Sequence, residues 1–189
     1  AIVAPDFTAE ALEILTTKPK WKANVRLLRV GEVSPGTGAR QFRQIDGGML
    51  CQAADDLAED RSAWQVVTET KPSDALTADL EFAWAACRHV KSNAIVLAKD
   101  CALVGVGAGQ MSRVDAVNIS IDKAGDRSQG AVLASDAFFP FDDSIHRAAE
   151  AGIVAVIQPG GSRRDDEVIA ACNQHGLPMI FTGQRHFRH

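Results

Sequence analysis

Residues 91–113 read KSNAIVLAKDCALVGVGAGQMSR, and the fold prediction starts from this stretch. Its apolar runs at 94–98 and 102–106 are short and rich in Val, Ile and Leu, which is typical of buried strands. A tight turn at Lys99 and Asp100 is expected to join the two runs into a hairpin. The second run ends in a glycine-rich turn, after which the pattern favours a helix. On this pattern alone, the stretch is a strand–turn–helix junction of an α/β domain.

The predicted helix after the hairpin begins with a capping-box signature. Ser112 and Asp115 have the Ser-x-x-Asp spacing, in which two side chains reciprocally satisfy free backbone N–H groups. Asn93 and Arg113 flank the hairpin, where a ligand could meet their side chains. The sequence QPGGSRRDD at 158–166 repeats the order of strand, glycine-rich turn and helix. Because a helix start carries a positive dipole and free N–H groups, both helix starts are candidate sites for anionic groups.

Strands and helices alternate through the second half of the sequence, while hairpin signals crowd its middle. The remaining predicted strands lie at 2–4, 25–30, 40–45, 49–53, 64–68, 131–134, 154–157 and 178–182. Predicted helices lie at 8–16 and 73–90, and two more begin at Asp142 or Asp143 and after Ser162. This order predicts a layered α/β/α fold with a mixed sheet. A length of 189 residues suits one domain over residues 1–189.

The composition is that of an ordinary globular protein, with 46% hydrophobic and 23% charged residues. A net charge of -4 offers no general attraction to nucleic acid or to acidic membranes, so neither is expected as a partner. No apolar run approaches the roughly 20 residues that span a bilayer. The four cysteines form no C-x-x-C pair, which favours buried free thiols and a cytoplasmic location. Because the chain begins with Ala, we expect a fragment of a longer polypeptide.

Several common functional motifs are missing from the sequence. The glycine-rich turn at 105–110 lacks the last glycine of a dinucleotide fingerprint, and no P-loop lysine follows it. No H-x-E motif is paired with P-C-x-x-C, which excludes a zinc deaminase. No G-x-S-x-G elbow is present either.

The aromatic run, Asp143 and the C-terminal tail each allow a structural and a ligand-binding interpretation. The aromatic run SDAFFPF at 135–141 would stack on a flat heterocycle or form a hydrophobic plug. Asp143, just after it, would cap a helix or bind a ligand amine. The tail RHFRH at 185–189 would be a frayed end, or its arginines would hold a phosphate through their planar forks. The acidic run at 55–60 is most simply a solvated face.

Five motifs in order resemble the C-terminal transformylase region of the bifunctional purine-biosynthesis enzymes that formylate aminoimidazole carboxamide ribonucleotide (AICAR). They are KSNAIVLAKD, GVGAGQMSR, SDAFFPFDD, QPGGSRRDDEVI and GQRHFRH. The resemblance spans essentially the whole chain and is tightest after residue 91. It implies a cytidine-deaminase-like fold, and formyl transfer from formyl-tetrahydrofolate to the amine of AICAR in IMP biosynthesis. The folate is a co-substrate and not a tightly bound cofactor, and a homodimer with sites between its subunits is implied.

The resemblance also implies roles for individual residues. AICAR contacts are implied at Asn93, Arg113, Phe138 and Arg185. Folate contacts are implied at Val114 through its backbone, and at Asp143, Ser162 and Arg163. A potassium site is implied near Ser92, Asp136 and His189.

One departure from the family pattern concerns catalysis. The family's catalytic Lys-His pair lies within a K-H-x-N-P type motif, and this sequence contains no Lys-His dipeptide. Formyl transfer to a weakly nucleophilic amine needs a base for its proton and a positive group for the developing oxyanion. We therefore expect this chain to carry substrate-binding groups without catalytic residues, and to be inactive alone. The alternative is a non-catalytic nucleotide-binding or assembly module of the same fold.

Overall fold

A computed structural model describes residues 1–32, 40–55 and 59–188, and the chain divides into two compact units, Ala1–Ala58 and Glu59–His189. In the first unit, β1 (Ile2–Ala4) pairs in parallel with β2 (Leu27–Arg29), and α1 (Ala9–Thr17) connects them in the sequence. As predicted, Thr8 caps α1, because its hydroxyl accepts a hydrogen bond from the Ala11 N–H at 3.1 Å. A separate antiparallel hairpin consists of β3 (Arg40–Ile45) and β4 (Gly48–Ala53). The loop predicted at 34–38 lies outside the described residues.

The second unit contains a six-stranded mixed sheet and four helices. Its strands are β5 (Gln65–Val66), β6 (Ile95–Lys99), β7 (Ala102–Gly107), β8 (Val132–Ser135), β9 (Ala155–Gln158) and β10 (Met179–Phe181). Its helices are α2 (Asp74–Cys87), α3 (Arg113–Ala124), α4 (Asp143–Glu150) and α5 (Asp165–Gln174). The strand order is β5-β10-β9-β8-β6-β7.

The strand directions define the fold. Strands β8, β9 and β10 are parallel, whereas β6 is antiparallel to both of its neighbours, β7 and β8. The five strands β7-β6-β8-β9-β10, with β6 alone running the opposite way, have the cytidine-deaminase-like arrangement that the resemblance implies. The short strand β5 adds an antiparallel edge beside β10.

The core lies on both faces of this sheet, because successive strand residues point to opposite faces. Ile95 and Leu97 of β6 pack with residues of α3, α4 and α5 on one face. Val96 and Ala98 pack with Leu80 and other residues of α2 on the opposite face. The predicted α/β/α layering and mixed sheet are therefore confirmed.

Some element boundaries differ from the predictions. The hairpin turn lies at Asp100 and Cys101, with φ of 52° and 53°, and not at Lys99 and Asp100. The carboxylate of Asp79 on α2 accepts hydrogen bonds from the N–H groups of both turn residues, at 3.1 and 2.7 Å. A contact from a distant helix thus determines a turn that local sequence places one residue earlier. In the described part of the chain, no helix is long and apolar enough to cross a membrane.

Candidate functional site

A pocket of about 480 Å³ opens at the end of the sheet where the parallel strands β8 and β10 terminate. In open α/β sheets, ligands commonly bind beyond the carboxyl ends of the strands. Four stretches that are separated in the sequence line the pocket: the residue two before β6, the start of α3, the exit from β8, and the segment after β10. The lining residues are 93, 111–114, 137, 138, 140, 141, 143, 144, 185 and 187.

The four residues to which the resemblance assigns AICAR contacts, Asn93, Arg113, Phe138 and Arg185, all line this pocket. The Arg185 guanidinium lies 5.0 Å from the centroid of the Phe138 ring, which is within cation–π distance. The tail therefore contacts the aromatic run at one end of the sheet. The pocket contains the guanidinium of Arg185 beside the aromatic ring of Phe138.

Arg113 is held more tightly than the sequence suggests. It is only 8% exposed, and its Nη1 donates to Asp136 Oδ1 at 2.6 Å and to Ser135 Oγ at 2.8 Å. Its Nη2 donates to Asn93 Oδ1 at 2.8 Å. Arg113 is therefore also an interior ion-pair residue, a role that the sequence analysis missed.

The start of α3 also differs from the prediction. Ser112 occupies the N-cap position, but its hydroxyl makes no capping hydrogen bond, so the predicted box with Asp115 does not form. Asn93 supports this turn from outside the helix, because its Nδ2 donates to the carbonyls of Gln110 and Met111 at 2.9 and 3.2 Å. The helix start is thus positioned by a residue before β6 and not by its own cap.

The residues to which the resemblance assigns folate contacts divide into two pairs. Val114 and Asp143 line the pocket, while Ser162 and Arg163 are not among its lining residues. At the start of α5, where the sequence predicts a site for an anion, the carboxylate of Asp165 from the same helix accepts the hydrogen bonds instead. Asp165 accepts hydrogen bonds from the N–H groups of Gly161 and Ser162 at 2.7 and 3.2 Å.

The aromatic run contains both a core residue and residues that line the pocket. Phe139 is fully buried, and its N–H donates to Gln158 Oε1 at 3.1 Å. Phe138 and Phe141 line the pocket instead. Asp143 Oδ1 accepts hydrogen bonds from the N–H and hydroxyl of Ser144 at 2.6 and 3.2 Å, so its carboxylate is partly engaged at the start of α4.

Two residues of the implied potassium site are described, and the third, His189, lies outside the described residues. Asp136 is fully buried; its Oδ1 faces Arg113, and its Oδ2 has no hydrogen-bond partner within residues 1–32, 40–55 and 59–188. The Ser92 hydroxyl accepts a hydrogen bond from the Arg188 N–H at 3.0 Å. A buried carboxylate oxygen without a partner fits an oxygen-preferring cation. The described chain holds no group of three or more His, Cys, Asp or Glu side chains suited to a metal.

Two histidine contacts escaped sequence reasoning, because their partners are distant in the sequence. His186 is fully buried, its Nε2 lies 2.9 Å from Glu59 Oε1, and its ring centroid lies 4.8 Å from that of Trp84. His146 Nδ1 lies 2.8 Å from His175 Nε2. No spacing rule connects Glu59 with His186, since 127 positions separate them.

Comparison with known proteins shows relatives over the full length of the chain. The family described as AICARFT/IMPCHase bienzyme matches residues 1–123. The bifunctional purine biosynthesis protein PurH of Rhodopirellula baltica is 62% identical over 189 residues, and that of Oceanobacillus iheyensis is 50% identical over 188. The chain is covered completely in both cases, but it spans only 36% of the length of each relative. A RibD structure from Acinetobacter baumannii is similar over 57% of the chain and 36% of its own, with 16% identity and a TM-score of 0.41. By its family match and its relatives, this chain belongs to the AICARFT/IMPCHase bienzyme family.

Proposed function

We propose that the chain is the C-terminal, substrate-binding part of an AICAR transformylase within a bifunctional purine-biosynthesis protein. One observation carries this proposal: Asn93, Arg113, Phe138 and Arg185 come from four separate stretches of the chain and line one pocket. In the reaction, the AICAR amine attacks the formyl carbon of formyl-tetrahydrofolate. The C–N bond to the folate then breaks, a base takes the amine proton, and the departing folate nitrogen gains a proton, so that tetrahydrofolate is released.

The side chains of the pocket suit a flat nucleotide. Arg185 is proposed to hold the phosphate of AICAR, since its planar fork can donate two parallel hydrogen bonds to phosphate oxygens. The Phe138 ring is proposed to lie against the imidazole. Asn93 and Arg113 fix the floor of the pocket through their mutual hydrogen bond at 2.8 Å. These groups bind and orient the nucleotide, and the general base is proposed to come from outside this chain.

The folate is proposed to contact the Val114 backbone and Asp143, which line the same pocket. Ser162 and Arg163 would then contribute only to an outer part of the folate site. A potassium ion at Asp136 and Ser92 would supply a fixed positive charge beneath the pocket. The intact protein is proposed to be a cytoplasmic homodimer.

The test is an Arg185→Ala variant of the intact protein that contains this chain. We expect its dissociation constant for AICAR to rise about 10-fold or more, because a charge-assisted bidentate contact is worth roughly 1.5–3 kcal/mol. Affinity for the folate should change less than about twofold. Isothermal titration calorimetry measures both constants, and Arg127→Ala, on a 3₁₀ turn outside the pocket lining, is the matched control.

Activity measurements decide which half of the bifunctional protein this chain represents. Formyl transfer should fall in Arg185→Ala, whereas cyclisation of supplied formyl-AICAR should be unchanged. A loss of cyclisation with intact formyl transfer would instead assign the chain to the cyclohydrolase part. Unchanged AICAR affinity in a folded variant would defeat the transformylase assignment of this pocket.

A further inference from the structure

The segment that follows β10 packs against the rest of the second unit and is not frayed. His186 donates its backbone N–H to the Asp136 carbonyl at 3.1 Å, and its ring Nε2 lies 2.9 Å from Glu59 Oε1. Farther along, the Ser92 N–H donates to the Arg188 carbonyl at 2.8 Å, and the Arg188 N–H donates to the Ser92 hydroxyl at 3.0 Å. These contacts hold the segment on both sides of Phe187.

The side chains of this segment alternate between the interior and the pocket. His186 is fully buried, whereas its neighbours Arg185 and Phe187 line the pocket. This alternation is that of an extended chain, in which successive side chains point to opposite sides. Burial of the His186 ring therefore determines that Arg185 and Phe187 face the pocket.

Helix α2 contacts the His186 ring, and it also forms an ion pair with the segment that contains Glu59, the partner of His186. Trp84 of α2 is buried, and its ring packs against the His186 ring. Arg61, two residues after Glu59, pairs with Glu81 of α2 at 2.8 Å. Residues 81 and 84 are three apart and so lie on one face of the helix. Glu59 is thus fixed beside the position at which the tail enters the interior.

We propose that Glu59 and His186 are positioning residues whose contact sets the affinity of the pocket for the anionic group that Arg185 meets. Neither side chain needs to touch the ligand. Their contact fixes which side of the C-terminal segment faces the pocket, and Arg185 acts on the ligand. This inference rests on the proposed function, which assigns Arg185 to the phosphate of AICAR. It adds two residues that the resemblance does not assign.

The test is a double-mutant cycle in the intact protein with AICAR and formyl-tetrahydrofolate as ligands. We expect Glu59→Ala to raise the AICAR dissociation constant about 10-fold, because a small displacement of a binding group has large effects. Folate affinity should stay within about twofold. In an Arg185→Ala background, Glu59→Ala should have no further effect, since the residue acts through Arg185. Glu59→Gln, which keeps an acceptor for the His186 ring, should restore affinity to within about threefold.

Matched variants separate positioning from general destabilisation. Glu150→Ala removes an exposed acid that pairs with Arg147 on α4, and it should leave both affinities unchanged. His186→Ala would empty a buried position and endanger folding, so the cycle uses Glu59.

Each outcome of the cycle bears on the inference. Absence of AICAR binding in the unmodified protein would overturn the proposed function, and the inference with it. Unchanged AICAR affinity in Glu59→Ala, with Arg185→Ala impaired, would overturn the inference alone. Equal losses for Glu59→Ala with and without Arg185 would also overturn it, because the effect would then not pass through Arg185.

Discussion

At the scale of single residues, the buried pair Arg113–Asp136 dominates the energetics of the pocket floor. The side chains are 7% and 0% exposed, so both charges are removed from water and depend on each other. Removal of one partner of a buried ion pair leaves an uncompensated charge, which typically costs about 3–5 kcal/mol. We therefore expect Arg113→Ala to lower the free energy of unfolding by about that amount in urea denaturation.

Ser112→Ala is the matched control, because the Ser112 hydroxyl makes no capping bond. Its effect should stay within about 0.5 kcal/mol, as for most surface substitutions. The capping pattern alone predicts the opposite ranking of the two variants. Addition of Asp136→Asn to Arg113→Ala should recover part of the loss, since the stranded charge is removed. A double variant no more stable than Arg113→Ala would show that packing, and not charge, dominates.

The prediction that the free cysteines are buried is correct for Cys87 and Cys172 but wrong for Cys51 and Cys101, which are exposed. The four thiols should therefore differ in reactivity. Burial raises the pKa of the Cys172 thiol to about 12. Burial also raises the pKa of Cys87, and the negative charge of Asp136 adds to that rise. Because the thiolate is the reactive form, neither residue should react at pH 8, whereas the exposed Cys51 and Cys101 should.

A thiol-specific chromogenic reagent at pH 8 measures this difference. We expect two thiols per chain to react in the native protein and four in urea. Rapid reaction of a third thiol in the native protein would show that the sheet core around Cys87 or the α5 face around Cys172 opens readily.

At the scale of elements, the contact between β7 and α3 explains two of the three glycines in the sequence GVGAG at 105–109, namely Gly105 and Gly107. A Cβ placed on Gly105 or Gly107 would lie closer than 3.0 Å to backbone atoms of Ser120 or Ala116 in α3. The backbone of the helix cannot move aside as a side chain could. These glycines are therefore required for the close packing of α3 on the sheet, and no ligand contact is needed to explain them.

Gly107→Ala is expected to destabilise the second unit by at least about 2 kcal/mol, the usual scale of an overpacked core. Gly48→Ala in β4 is the matched control, because a Cβ there would meet only Ile45 at an ordinary 4.0 Å. Thermal or urea unfolding measures both. A Gly107→Ala variant as stable as the unmodified chain would contradict the close approach of α3.

Elements with a strong local signal were predicted well from the sequence. Thr8 and Ser73 accept the capping bonds at the starts of α1 and α2, and the strands from β6 onward lie within two residues of their predicted bounds. The predictions were wrong where a side chain outside the recognised pattern determines a local geometry. Asp79, on a distant helix, shifts the hairpin turn. At the start of α5 the group is a near one, because Asp165 accepts hydrogen bonds from N–H groups that were expected to receive an anion.

At the scale of the whole molecule, the pocket depends on sheet topology. Strands β8 and β10 run parallel on either side of β9. The aromatic run and the C-terminal segment therefore emerge at the same end of the sheet, beyond the carboxyl ends of these strands. Periodicity alone does not give this strand order. The resemblance to the family named six of the thirteen residues that line the pocket, but it did not reveal the Glu59–His186 contact beside one of them.

The isolated chain should bind AICAR but should not transfer a formyl group. It contains no Lys-His dipeptide, and its proposed AICAR contacts supply no base for the proton of the amine. The assay is AICAR-dependent release of tetrahydrofolate, and the intact protein should show a turnover of about 1–1000 per second. Cooperative unfolding in urea, together with AICAR binding that Arg185→Ala weakens, would show that the inactive chain is folded. Turnover of the isolated chain in that range would place the base within this chain, and its five histidines would be the first candidates. His186 would be a poor choice among them, since its ring is fully buried against Trp84 and Glu59.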